Sequence, residues 1–141
     1  MIQLKELKMK KNLDVGLLVL RVVISVLMLL HGLGKLNGGL EFVKGMLVDK
    51  GMPGFIAYGA IVGEILAPIA ILIGFRTRIA ALIYAINCVV AILMVHSAMV
   101  FSLSETGGWA IELLGLYLFG AVTLYFTGAG AIAVSTKNNW D

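Results

Sequence analysis

Arg21, Glu64 and Asn87 sit deep inside three long apolar runs, and Glu112 lies just inside a fourth. On insertion scales a charged residue at the centre of a hydrocarbon span costs about 2.5 to 3.5 kcal/mol, so such groups face one another, a ligand or water inside a bundle. A guanidinium, a carboxylate and an amide placed there can hold a polar ligand or move a proton. His31 and Lys35 at the end of the first run and His96 at the end of the third add further donors. His31, His96 and Glu112 come from three different runs with no local ligand spacing, so no metal site is expected, and no haem motif is present.

The elements that must position these residues follow from composition. The chain has 141 residues, 60% hydrophobic and 13% charged, with a mean hydropathy of +1.01. Those values belong to a bilayer protein rather than a soluble domain. The apolar runs read Val15 to Gly34, Phe55 to Gly74, Ile79 to Ala98 and Trp109 to Phe126. Each is about 20 residues, the length needed to cross about 30 Å of hydrocarbon at 1.5 Å per residue. The expectation is a single all-α domain over 1–141, an integral membrane up-and-down four-helix bundle with tails at 1–13 and 129–141. Four spans leave no room for a soluble catalytic domain.

The first run follows lysines but is too long for a signal-peptide core, contains Arg21 and is followed by His31, Gly32 and Lys35 rather than a cleavage site, so it reads as a retained helix. Lys5, Lys8, Lys10 and Lys11, then Arg76 and Arg78, then Lys137 place both termini and the second loop on the cytoplasmic side. Membrane orientation and anionic headgroups account for the pI of 9.1, and no nucleic-acid partner is needed. With Cys88 the sole cysteine, a thiol relay within the chain is excluded, and Cys88 reads as a small buried apolar residue.

The short connection Phe75 to Arg78 makes helices two and three antiparallel neighbours. Gly59, Gly63, Ala67 and Ala70 give helix two a small-residue surface for close packing. The first loop is longer. Leu40, Val43 and Leu47 recur at helical spacing between Gly38-Gly39 and Gly51-Met52-Pro53-Gly54, predicting a short interfacial amphipathic helix over the outer mouth.

At 100° per residue, Arg21, Ser25, Met28, Gly32 and Lys35 form one stripe on helix one, with His31 at its edge. On helix two, Ala57, Ala60, Glu64, Ala67 and Pro68 share a face. Pro68 has no N–H for the carbonyl of Glu64, so a kink is expected there. Depth then predicts two layers: a central Arg21, Glu64 and Asn87 network, and an outer group of His31, Lys35, His96 and Glu112. His96 lies opposite Asn87 by phase and turns inward only if its helix bends. Arg21 and Glu64 could instead satisfy each other and fix register.

Together, Arg21 in Val19-Leu20-Arg21, the segment His31-Gly32-Leu33-Gly34-Lys35-Leu36, Gly63-Glu64, Val95-His96, Trp109 to Glu112 and Gly128-Ala129-Gly130 resemble the DoxX family of bacterial four-helix membrane proteins. The resemblance runs from about Leu13 to Ser135. The tail departs from the family pattern, keeping only a late Ser135 after the glycines. Membership would imply a multi-pass inner (plasma) membrane protein linked to membrane redox complexes, and the related DoxD subunit of a thiosulfate:quinone oxidoreductase suggests a quinone-facing role. Arg21, His31, Lys35 or His96 could then donate to ring oxygens, with Glu64 or Glu112 in proton transfer. Two alternatives stand beside it. One is an accessory anchor that positions a soluble redox partner through Arg76, Arg78 and the N-terminal lysines. The other is a small transporter whose water path requires a homo-oligomer.

Overall fold

A computed structural model describes residues 2–141, without the side chains of Ile2 and Lys5. Met1, part of the expected N-terminal tail, and the Lys5 side chain, counted in the charge distribution, lie outside the described residues. Among the described residues the main elements are four principal helices and one short one. Helix α1 runs Ile2–Gly34, α2 Leu40–Asp49, α3 Gly54–Ile73, α4 Thr77–Val95 and α5 Glu112–Thr127.

Helix α1 begins well before the expected 15–34 span, because Leu4 to Asp14 contain no glycine or proline and continue the helix past the apolar stretch. At 33 residues it is about 50 Å long, more than a bilayer core requires. The turn Lys35–Gly39 then breaks it, with Gly38 at φ 111 and Asn37 off helical values. Glycine alone holds such a φ without strain. The chain kinks there into α2, the amphipathic helix expected between the glycine breakers, whose Leu47 is fully buried. Helix α5 starts at Glu112 rather than Trp109. Its 16 residues span about 24 Å.

Helix α3 is not uniform. It opens as a 3-10 turn over Gly54–Tyr58 and widens into a π-turn over Val62–Leu66, closed by the Ala67 N–H bonding to the Val62 carbonyl. The irregularity expected from Pro68 therefore takes the form of a widened turn just before it, carrying Glu64. Gly74, left-handed at φ 75, ends α3, and the three-residue connection Gly74 to Arg76 returns the chain as α4.

The core is built from Leu17, Ile24 and Met28 of α1, Ala67 and Ile71 of α3, Ala80, Ala81, Tyr84 and Cys88 of α4, and Tyr117, Ala121 and Leu124 of α5. Alanines bring α4 close to its neighbours. The large exposed side chains Val19, Val23, Leu30, Leu82, Ile86, Leu93, Leu116 and Phe119 coat the outside. A surface so apolar needs hydrocarbon around it.

Both termini lie at one end, where Asp14 Oδ1 accepts the Ala131 N–H at 2.8 Å. The tail after α5 folds back across this end. The N–H groups of Val134 and Ser135 bond to the carbonyls of Ile73 and Gly74, and the Arg78 N–H bonds to the Trp140 carbonyl. Asp141 Oδ2 accepts from the Ser135 hydroxyl at 2.8 Å and the Asn138 N–H at 2.7 Å. Burial opposes ionisation of Asp141, but these bonds and Arg76 at 3.9 Å together hold its carboxyl below the usual range.

Candidate functional site

Arg21 belongs to the tail end and not to a central network with Glu64. Its Nε donates to the Ile71 carbonyl at 2.8 Å and Nη2 to that of Leu72 at 2.9 Å. Its Nη1 donates to the carbonyls of Ala129 at 3.0 Å and Ile132 at 2.6 Å. The first two acceptors are at the carbonyl end of α3, where Ile71 also accepts the Gly74 N–H at 3.1 Å and the negative end of the helix dipole attracts a cation. One guanidinium thus caps α3 and ties the tail to it. The expected network fails because α1 and α3 run antiparallel in a register that places Gly32, not Arg21, beside Glu64. A Cβ on Gly32 would lie 2.6 Å from both the Glu64 carbonyl oxygen and Ile65 Cγ1. Eleven residues, about 16 Å of helix, separate the two levels on α1.

Glu64 instead pairs with Lys35, forming a salt bridge whose carboxylate side is 5% exposed and whose ammonium side is 29% exposed. Asn87 Nδ2 donates to the same Oε1 at 3.3 Å. Among the described residues Glu64 Oε2 is buried with no hydrogen-bond partner. Three elements converge here. Lys35 is placed by the break after α1, Glu64 by the π-turn of α3, and Asn87 by the absence of a side chain opposite it. A Cβ on Gly63 would come within 2.5 Å of Asn87 Cγ. Gly63 and buried Ala67 thus use the expected small-residue face, whereas a Cβ on Gly59 would meet nothing within 4 Å. Gly63→Ala is expected to cost about 1–3 kcal/mol by overpacking, read as a lowered melting temperature in detergent, with Gly59→Ala as the near-neutral reference.

The cluster forms the floor of a cavity of about 590 Å³ that opens at the end opposite the tail. His31, His96 and Glu112 line the same cavity. The two expected layers are therefore regrouped: Glu64 and Asn87 join His31, Lys35, His96 and Glu112, and Arg21 stands apart. His96 reaches the cavity because α4 stops at Val95 and His96 itself has left helical geometry, with φ −117 and ψ 11. Its helical phase no longer applies. Glu112 is an exposed rim residue in the first turn of α5.

Sequence reasoning missed the aromatic wall. Tyr117 is buried, meets the His31 ring edge-on at 6.0 Å and meets Tyr84 at 6.3 Å. Tyr84 anchors itself by donating to the Ile24 carbonyl at 3.0 Å. Trp109 closes the rim with its indole N–H on the Val100 carbonyl at 2.7 Å. The positions of Tyr84 and Tyr117 within polar-lined spans were the available signal. The arrangement offers an aromatic and apolar slot with an ammonium, an amide and a half-satisfied carboxylate at its base.

These features define a multi-pass all-α membrane protein with a polar cluster beneath a solvent-facing cavity. The DoxX family model matches residues 16–97, and the chain belongs to the DoxX family. It is similar to "Inner membrane protein YqjF" of Escherichia coli (strain K12), at 32% identity over 93% of this chain and 98% of that one. It also resembles "Putative oxidoreductase CatD" of Bacillus subtilis (strain 168), at 31% identity over 62% of this chain and 64% of that one. The chain thus spans under two thirds of CatD's length. No solved structure matches it. Family, relatives and apolar helices together make it a bacterial inner-membrane protein.

Proposed function

We propose that this protein is the membrane subunit of a quinone-linked redox complex, and that the mouth-end cavity receives the quinone ring. The observation that carries the reading is the unpartnered Glu64 Oε2 beside the Lys35 and Asn87 donors at the base of the cavity. A quinone carbonyl can accept from Lys35 or Asn87, or from Glu64 when protonated; a hydroquinone O–H can donate to the Glu64 carboxylate. Tyr117, Trp109 and His31 supply flat surfaces for the ring. The name of CatD supports a redox association for a relative.

The termini face the cytoplasm in this reading, as the distribution of lysine and arginine favours. The cavity then opens on the outer side. The tail occupies the Arg78 side chain, which donates to the Asp141 carbonyl at 3.0 Å. A soluble redox partner therefore docks on the exposed lysines Lys8, Lys10 and Lys11 of the α1 extension rather than on Arg78.

The test is titration of protein in lipid nanodiscs with a short-chain ubiquinone, following Trp109 fluorescence against a Trp140→Phe background. Saturable quenching is expected. Glu64→Gln should weaken binding of the reduced, ubiquinol form about tenfold or more, since its O–H donates to the carboxylate and hydrogen bonds to charged groups contribute about 1.5–3 kcal/mol. Absence of saturable quenching, or unchanged ubiquinol affinity in Glu64→Gln, rejects the reading. Ion flux in liposomes without quinone binding would favour transport.

A further inference from the structure

A second chamber of about 420 Å³ lies on the other side of the Lys35, Glu64 and Asn87 cluster, between α3 and α4 and beneath α2. Both chambers are lined by those three residues and by Val43, Met46, Ala91 and Val95, so the polar cluster is the partition between them. The two spaces differ in chemistry. The mouth cavity is bordered by His31, His96, Ser104, Thr106 and Glu112, whereas beyond the partition the lateral chamber is lined by alkyl groups and glycine, including Ile56, Ala60, Ile83, Ile86 and Val90. Val62, Ile86 and Val90 at its edge are exposed on the hydrocarbon-facing side. Buried Leu47 and Ala57 close it above. Along α4 it runs from Ile83 to Val95, about 18 Å of helix.

We infer that this lateral chamber is the site for the isoprenoid chain of a membrane quinone, whose ring rests on the partition at Glu64. The inference rests on the quinone reading of the mouth cavity and adds the route and the tail. An amphiphile with a polar ring and a long branched alkyl chain fits the pairing of spaces. The ring needs donors and an acceptor, and the chain needs a hydrocarbon-lined slot continuous with lipid. A buried carboxylate oxygen without a partner marks the point where the two meet. Moving a chain from lipid to an apolar groove gains little hydrophobic free energy, because both are hydrocarbon. The chamber therefore acts by admission and alignment: blocking it excludes molecules that carry the chain.

Ala60 and Ile86 line the lateral chamber and are absent from the mouth cavity. Ala60→Trp fills the chamber, and Ile86→Trp obstructs its exposed edge at a lipid-facing position where folding tolerates the change. In nanodiscs, each variant should bind a long-chain ubiquinone about tenfold or more weakly than the parent protein, while a chain-free dimethoxybenzoquinone binds all three alike. Equal affinity of parent and variants for the long-chain quinone overturns the tail site. Mass spectrometry of gently purified protein showing a phospholipid, rather than a prenylated quinone, lost in both variants also overturns it. If neither quinone binds the parent protein, the underlying quinone reading fails instead.

Discussion

Arg21→Met is expected to destabilise the protein by about 3–5 kcal/mol and to release its C-terminal tail. The guanidinium is 1% exposed and donates four hydrogen bonds, to Ile71, Leu72, Ala129 and Ile132. Methionine fills similar space and removes every one of them. Two of the abandoned carbonyls end α3, where the residual helix charge is negative, and the other two hold the tail. Arg21→Lys should recover only part of the loss, because a compact ammonium with three donors cannot reproduce a planar fork serving four acceptors. Denaturant titration in detergent measures the first effect, and protease cleavage between residues 128 and 141 the second. Parent-like stability with a protected tail in Arg21→Met would show that Arg21 does not hold this end together.

Lys35→Met should cost about 2–3 kcal/mol, below the range of about 3–5 for breaking a sealed ion pair, because Lys35 is partly exposed and Asn87 still donates to the Glu64 carboxylate. The double variant Lys35→Met with Glu64→Leu should recover most of the loss. The reason is that the cost lies in leaving a buried carboxylate beside a single amide, not in losing the attraction itself. A double-mutant cycle by thermal melting decides it. Additive losses from the two single changes would mean that Lys35 and Glu64 act independently. The pair would then be a contact of little energetic consequence.

The geometry of Asn87 and Glu64 could be anticipated because a short turn fixes register. With Gly74, Phe75 and Arg76 between α3 and α4, residues equally far from Phe75 lie side by side, which sets Gly63 against Asn87 and Glu64 next to it. No such constraint links α1 to α3. Between them lie the break at Gly38, the whole of α2 and the glycine-proline turn, and the register of that pair is set by the contact of Gly32 with Glu64. A single-residue depth estimate for Arg21 could not supply it. His96 failed as a phase argument for a related reason: phase has meaning only while the helix continues, and α4 stops one residue earlier.

The sequence alone determined the solvent, the helices and the polar residues that need partners. Hydrocarbon demands long apolar runs, and a charge inside one is too costly to be incidental. It also placed the amphipathic α2, since glycine and proline breakers and helical spacing are local signals. Only the tertiary structure decided which polar residue meets which. It sent Arg21 to the carbonyls of α3 and the tail, brought Lys35 to Glu64, and gathered His31, His96 and Glu112 around one cavity. Those pairings depend on antiparallel register and on where glycine lets two backbones approach, and both are properties of packed helices rather than of any one segment.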